Sequence, residues 1–258
     1  MSMNGKICLV TGATNGIGLV AARELARMGA TVIVAGRSER KTADVIAEMR
    51  SSSGSTEIHP MIADLSLMSG VRSLADQFKA RYQRLDVLLN NAGGIFNERK
   101  LTSEGLEMTF ALNHISYFLL THLLIEPLYA SPAARVVNVS SNAHMTVHTL
   151  DFDNLQGENG YFGFTAYGIS KLANVMFTYA LARRLEGSSV TTNALHPGAV
   201  STGFGTNNKD LLSRVMFRAF QMFTMSPEQG AQTSIYLASS PEVAGVSGRY
   251  FAKSRAVR

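Results

Sequence analysis

The chain alternates short runs of Val, Ile and Leu with longer stretches of helical period, and this alternation limits its possible folds more than any other feature. Residues 6–10 (KICLV), 31–35 (TVIVA), 57–62 (EIHPMI), 87–90 (VLLN), 135–140 (RVVNVS) and 190–195 (VTTNAL) read as strands, with 248–252 (GRYFA) as a seventh. Helical patterns fall between them at about 16–28, 38–51, 68–83, 105–129, 165–186 and 226–239. The strand runs are apolar throughout rather than alternating, as a parallel sheet covered on both faces requires. Right-handed crossovers then give an α/β fold, a doubly wound parallel sheet of about seven strands with helices on both faces. Such sheets bind ligands at the carboxyl ends of their strands, near the point where strand order reverses.

No Pro-rich, Gly/Ser-rich or charged linker divides the 258 residues, so 1–258 is expected to be one domain. The net charge of +5 is spread along the chain rather than gathered into a stripe with aromatics, which argues against a nucleic-acid partner. The single cysteine, Cys8, lies in the apolar run ICLV and reads as a buried thiol of a reducing compartment, so a cytoplasmic location is expected. No apolar run is long enough to span a bilayer, and the start MSMNGK is too short and polar for a signal peptide.

The chemistry-bearing residues gather at the strand ends. VTGATNGIG (10–18) follows the first strand and opens the first helix. Gly12, Gly16 and Gly18 allow a tight turn, close approach to a pyrophosphate and close packing of helix on sheet, and Thr14, Asn15 and Ile17 complete the candidate cofactor loop. A tight turn uses glycine for steric reasons too, so the strand–turn–helix context carries the reading: a Rossmann-type nucleotide site. After the second strand, VAGRSERK places Gly36 and Arg37 where a carboxylate would grip an NAD ribose, and an arginine suits the 2′-phosphate of NADP instead. At the end of the third strand, Asp64 either accepts a bond from the adenine amino group or caps the next helix, with Leu65 lining the ring. In NNAGG (90–94), Asn91, Ala92 and Gly93 leave room for ribose and ring, while Asn90 is expected to bond neighbouring main chain.

TAYGISK (165–171) puts Tyr167 one helical turn before Lys171. Taken alone, the pair is a packed aromatic beside a solvated lysine. With TGATNGIG, NNAG, Asn113 in LNHISYFLLTHLL, RVVNVSS and HPG in the same order, the chain resembles the short-chain dehydrogenase/reductase family from Lys6 to Phe251. SKLANVMF, EQGAQTSIYLA and SGRYF look like its retinol dehydrogenase-like branch. The resemblance implies an NADP(H)-dependent oxidoreductase, with NADP(H) favoured over NAD(H), moving a hydride between nicotinamide and a carbonyl or alcohol group. Its substrate would be apolar: lipid-like, retinoid-like or aromatic.

On that resemblance Tyr167 is the proton donor in reduction and the base in oxidation, Lys171 lowers its pKa and holds the nicotinamide ribose hydroxyls, and both residues border the cofactor. Ser141 bonds the substrate oxygen, with Ser140 the runner-up, and Asn113 holds a water of the proton relay. Pro197 and Gly198 wall the nicotinamide, and Val200 and Thr202 contact its carboxamide. Residues 201–225 are expected to form a lid, apolar from 203, and the long segment from Ser141 to Tyr167 covers part of the entrance. The lid region reads equally as core packing or as a surface touching a membrane. Tyr161 and Tyr179 lack a lysine four places on and read as packing; His144, His148 and His196 show no metal spacing, so no metal is expected. A homodimer or homotetramer is the family habit. Two other functions stay open: a C=C reductase of the protochlorophyllide reductase-like type, and a non-catalytic dinucleotide-sensing protein on the same fold. Substrate identity, stereochemistry and direction are not written in the sequence.

Overall fold

The structure, a computed structural model, describes residues 2–198 and 225–257. Among these described residues eight strands form one sheet: β1 (Ile7–Thr11), β2 (Thr31–Gly36), β3 (Ile58–Ile62), β4 (Val87–Asn90), β5 (Ala134–Val139), β6 (Val190–His196), β7 (Arg249–Ala252) and β8 (Arg255–Val257). Their order is β3-β2-β1-β4-β5-β6-β7-β8, parallel except for β8, which runs antiparallel to β7. The order reverses between β1 and β4, which places the cleft at the carboxyl ends of those two strands.

Neighbouring strand residues face opposite layers, and both layers are apolar. Cys8, Val10, Val32, Val34 and Val137 join one buried cluster with Val20, Leu25 and Ile235. Those last three come from helices α1 (Gly16–Arg27) and, near the C-terminus, Pro227–Ser239. Leu9, Ile33, Leu88 and Val136 join a second cluster with Leu74, Phe78 and Leu120. This arrangement explains why the strand runs showed no alternation. Cys8 is fully buried, and burial pushes its thiol well above the ordinary value, so it stays protonated.

Helices α2 (Glu39–Ser53) and α3 (Met68–Arg81) match their expected spans. The expected helix at 105–129 is broken. A short turn α4 (Met108–Phe110) runs into a π-helical stretch, Ala111–Ile115, and continues as α5 (Ser116–Leu123). The chain then kinks at Leu124 before α6 (Ile125–Tyr129). Pro127 has no N–H to offer the Leu123 carbonyl, which is a sufficient reason for the break. Two long elements close the series, α7 (Gly163–Arg184) and α8 (Pro227–Ser239), the latter opened by a Ser226–Gln229 capping box. Strand β8 was not expected: it follows a turn at Lys253 and Ser254, both with positive φ, and neither residue type advertises that conformation.

Among the described residues no helix is long and apolar enough to cross a membrane.

Candidate active site

The β1–α1 turn is fixed by the chain itself. Gly12 has φ +64°, and a Cβ there would stand 2.8 Å from Ala92 Cα. A Cβ on Gly18 would lie 2.5 Å from the Gly12 carbonyl oxygen. The Asn91 side chain donates to Thr11 O and Gly12 O, and Thr11 Oγ1 accepts from the N–H groups of Asn91 and Ala92. Asn91 therefore locks the loop, and its side chain is engaged there. Asn90, expected to bond main chain, instead donates to Thr121 Oγ1 and Asn138 Oδ1 inside the sheet.

The N-terminus of α1 is uncapped. Asn15 makes no capping bond, the first turn holds no acidic residue, and Gly16 follows with φ +54°. By contrast, Ser38 caps α2 and Ser226 caps α8. An uncapped helix start with free N–H groups suits a phosphate. Thr14 and Asn15 border this opening, whereas Ile17 packs partly on the core. Arg37 is exposed just past β2 and joins no ion pair among the described residues.

Asp64 is exposed, and its Oδ1 accepts from the N–H and hydroxyl of Ser66. It does not cap α3 directly, since the N-cap position of that helix is Leu67. Leu65 is buried in the second core cluster, so its side chain is floor rather than open lining. Ala92 is buried and Gly93 exposed; a Cβ on Gly93 would sit 3.1 Å from Asn113 Oδ1 and 3.6 Å from Lys171 Nζ. Gly93 thus keeps open a passage that ends at the lysine ammonium, a cradle that a larger residue would fill. With the uncapped helix start, this fits a dinucleotide running from α1 to Lys171.

At the other end, α7 carries Tyr167 and Lys171 on one face, both buried. Close approach of α7 to the segment after β5 brings Ser141 to the tyrosine. A Cβ on Gly168 would lie 2.9 Å from the Ala143 carbonyl oxygen, so only glycine permits this contact. The Tyr167 hydroxyl is hydrogen-bonded to Ser141. Ser140 faces away: its hydroxyl donates to Lys171 O and its side chain also meets Tyr250. Lys171 Nζ donates to Val139 O at 2.9 Å and lies 5.6 Å from the Tyr167 ring centroid.

Burial pushes the Tyr167 phenol up to about 12, with the Ser141 hydrogen bond pulling the other way. Burial also pulls Lys171 down to about 7. Burial disfavours the charged form of each group, because the low-dielectric interior stabilises neither a phenolate nor an ammonium.

Asn113 is fully buried, within the π-helical stretch. Its side chain is spent on Gly94 N–H, Gly94 O and Ser170 Oγ, and its carbonyl accepts from Asn174 Nδ2. A relay water would have to share an oxygen of Asn113 that already accepts one hydrogen bond, its main-chain carbonyl or its Oδ1. Pro197 and Gly198 follow β6, with Gly198 N–H donating to His196 Nδ1. Val200, Thr202 and residues 203–224 of the expected lid lie outside the described residues.

Some residues were missed. Tyr161, read as packing, is a pin: its hydroxyl bonds Phe96 O and Glu107 Oε1 and meets Thr109 Oγ1. With Arg99 and Glu107 bonded to Gln156, it ties the loop after β4 to the segment between Ser141 and Tyr167. No motif marks it, because its partners come from distant sequence. Tyr117, packed beside Lys171, was also passed over; its one signal is that it stands one turn after Asn113. No group of His, Cys, Asp and Glu among the described residues could hold a metal ion.

Compared with known proteins, residues 6–211 match the short chain dehydrogenase family. Mouse (Mus musculus) retinol dehydrogenase 12 is 42% identical over 247 residues, covering 96% of this chain and 77% of that protein. Human (Homo sapiens) retinol dehydrogenase 14 is also 42% identical, covering 96% of this chain and 78% of its own. Among solved structures, the Pseudomonas aeruginosa RhlG/NADP active-site complex superposes with a TM-score of 0.77 at 29% identity, covering 97% of this chain and 95% of that one. The chain belongs to the short-chain dehydrogenase/reductase family, in its retinol dehydrogenase-like branch, and is an oxidoreductase that works on CH–OH or C=O groups with a nicotinamide dinucleotide.

Proposed function

We propose that the protein is an NADP(H)-dependent carbonyl reductase or alcohol dehydrogenase for apolar substrates. The observation that carries this reading is the buried Ser141–Tyr167 hydrogen bond with Lys171 one turn away, at the end of the passage kept open by Gly93. A bound nicotinamide supplies or accepts the hydride; the chain's own residues manage the proton. Ser141 donates to the substrate oxygen and orients it. Tyr167, held protonated at neutral pH, gives its proton to that oxygen in reduction and regains one through its neighbours. In oxidation the Tyr167 phenolate takes the proton from the substrate hydroxyl, which requires stabilisation of that phenolate by the Lys171 ammonium and the cofactor's charge.

Two features support the finer parts. Arg37 is exposed just past β2 and pairs with no carboxylate among the described residues, which suits the 2′-phosphate of NADP. Met145, Phe152, Phe162 and Phe164, on or just after the segment joining Ser141 to Tyr167, expose large apolar surface, which suits a lipid-like or aromatic substrate. The names of the retinol dehydrogenase relatives point the same way. Exposed Phe118 on α5 with Met176 and Tyr179 on α7 suit a homo-oligomer through these helices.

The test is to mix the purified protein with NADPH or NADH and a panel of aldehydes, ketones, quinones and activated alkenes, following the loss of nicotinamide absorbance. NADPH-dependent turnover of long apolar carbonyls is expected. Turnover of alkenes alone would favour C=C reduction, and cofactor binding without any turnover would favour a sensing role.

A further inference from the structure

The Lys171 ammonium lies over two aromatic rings. One is Tyr167; the other is Tyr117 of α5, whose ring centroid lies 5.5 Å from Nζ. Lys171 is 2% exposed, and its ammonium makes one hydrogen bond among the described residues, to Val139 O. An ammonium carries three donors, and Val139 O takes one of them. An aromatic face within about 6 Å supplies negative potential that a desolvated cation can use.

Tyr117 is itself 1% exposed, and its hydroxyl makes no hydrogen bond among the described residues. The residue therefore meets Lys171 through its ring, not its hydroxyl. Burial pushes its phenol well above the ordinary value, so it presents a neutral ring throughout the working range. The other groups facing the ammonium are Tyr167 and His114. The His114 ring is pulled down by burial and hydrogen-bonds Asn174 Oδ1, so it adds no charge at neutral pH. No carboxylate pairs with Lys171 among the described residues.

Resting on the proton-transfer reading above, we propose that Tyr117 is a positioning residue: its ring and that of Tyr167 form an aromatic clamp that keeps the buried Lys171 charged and in one rotamer. The clamp offsets part of the desolvation that acts on the lysine. Removing one face must therefore move the lysine's titration to lower pH, and replacing it with another aromatic face must not.

The experiment compares wild type, Tyr117→Phe and Tyr117→Met, each confirmed as folded by thermal melting. Tyr117→Leu stands in if the methionine variant melts below the assay temperature. Two readouts are taken: the pH profile of kcat for NADPH-dependent carbonyl reduction, and the titration of Lys171 by NMR with 13C at lysine Cε, assigned with Lys171→Arg. Tyr117→Met is expected to move both the titration and the basic limb of the profile down by about one pH unit. Tyr117→Phe is expected to superimpose on wild type. An unshifted Tyr117→Met titration, or a Tyr117→Phe titration shifted as far as that of methionine, would overturn the clamp. The NMR titration needs no turnover, so an enzyme inactive in reduction would sink the proposed function while the clamp is still judged on its own.

Discussion

The two ends of the cleft are held by different means. At the β1–α1 end the shape is set by backbone: glycines that admit no Cβ, and Thr11 and Asn91 bonded to main chain and to each other. At the α7 end it is set by buried side chains. Tyr167 reaches Ser141, Lys171 reaches the β5 carbonyl, and Asn113, Ser170 and Asn174 fill the space behind them. Backbone shape tolerates no added atom but carries little chemistry. Buried side chains carry the chemistry, and burial shifts their protonation. Substitutions should therefore separate binding from turnover according to the end they touch.

The sharpest break is Tyr167→Phe. It removes the hydroxyl while keeping the ring, and turnover should fall about 10³-fold or more while NADPH binding, followed by protein fluorescence, is retained. An active Phe variant would mean that the α7 end is not where the proton moves. Next is Gly168→Ala, whose methyl must displace the Ala143 carbonyl and with it Ser141. A displacement of about 1 Å should lower kcat by about 10²-fold with little change in cofactor affinity. At the other end, Arg37→Asp should leave kcat at saturation nearly unchanged and lower kcat/KM for NADPH by roughly 30-fold relative to NADH. Equal effects on both cofactors would show that Arg37 does not meet a 2′-phosphate.

The smallest effect on activity should come from a site remote from both ends. Asp86 is buried and accepts from Ile7 N–H and Ser131 Oγ, with Lys6 and Arg84 beside it. Burial alone would raise its carboxyl, but these partners outweigh it and hold the group below the usual range. A lowered folded value contributes stability above the unfolded carboxylate pKa near 4, lost as pH falls through the folded value. Asp86→Asn should thus cost about 2 kcal/mol in urea unfolding at pH 7. The gap from wild type should narrow below about pH 4, with kcat untouched.

Much of this was legible in the chain. Strand runs apolar on both faces announced a covered parallel sheet, and the glycines at 12 and 18 announced a turn without room for side chains. Tyr167 and Lys171 declared themselves by a spacing of one turn. What the sequence hid were the residues whose partners lie far away in the chain. Tyr161 looked like packing because Phe96 and Glu107 stand more than fifty residues upstream. Asn91 and Asn90 are neighbours of one type, and only the pleat of β4 decides which bonds the loop and which lies inside the sheet.

Local pattern thus determined the layers, their order and the residue types at each strand end, because periodicity and turn chemistry are short-range properties. Tertiary structure decided that Ser141 meets the Tyr167 hydroxyl while Ser140 bonds Lys171 O, and which further ring lies beside Lys171. Each of those depends on how deeply a group is buried and what lies across from it, and burial exists only once distant segments have packed.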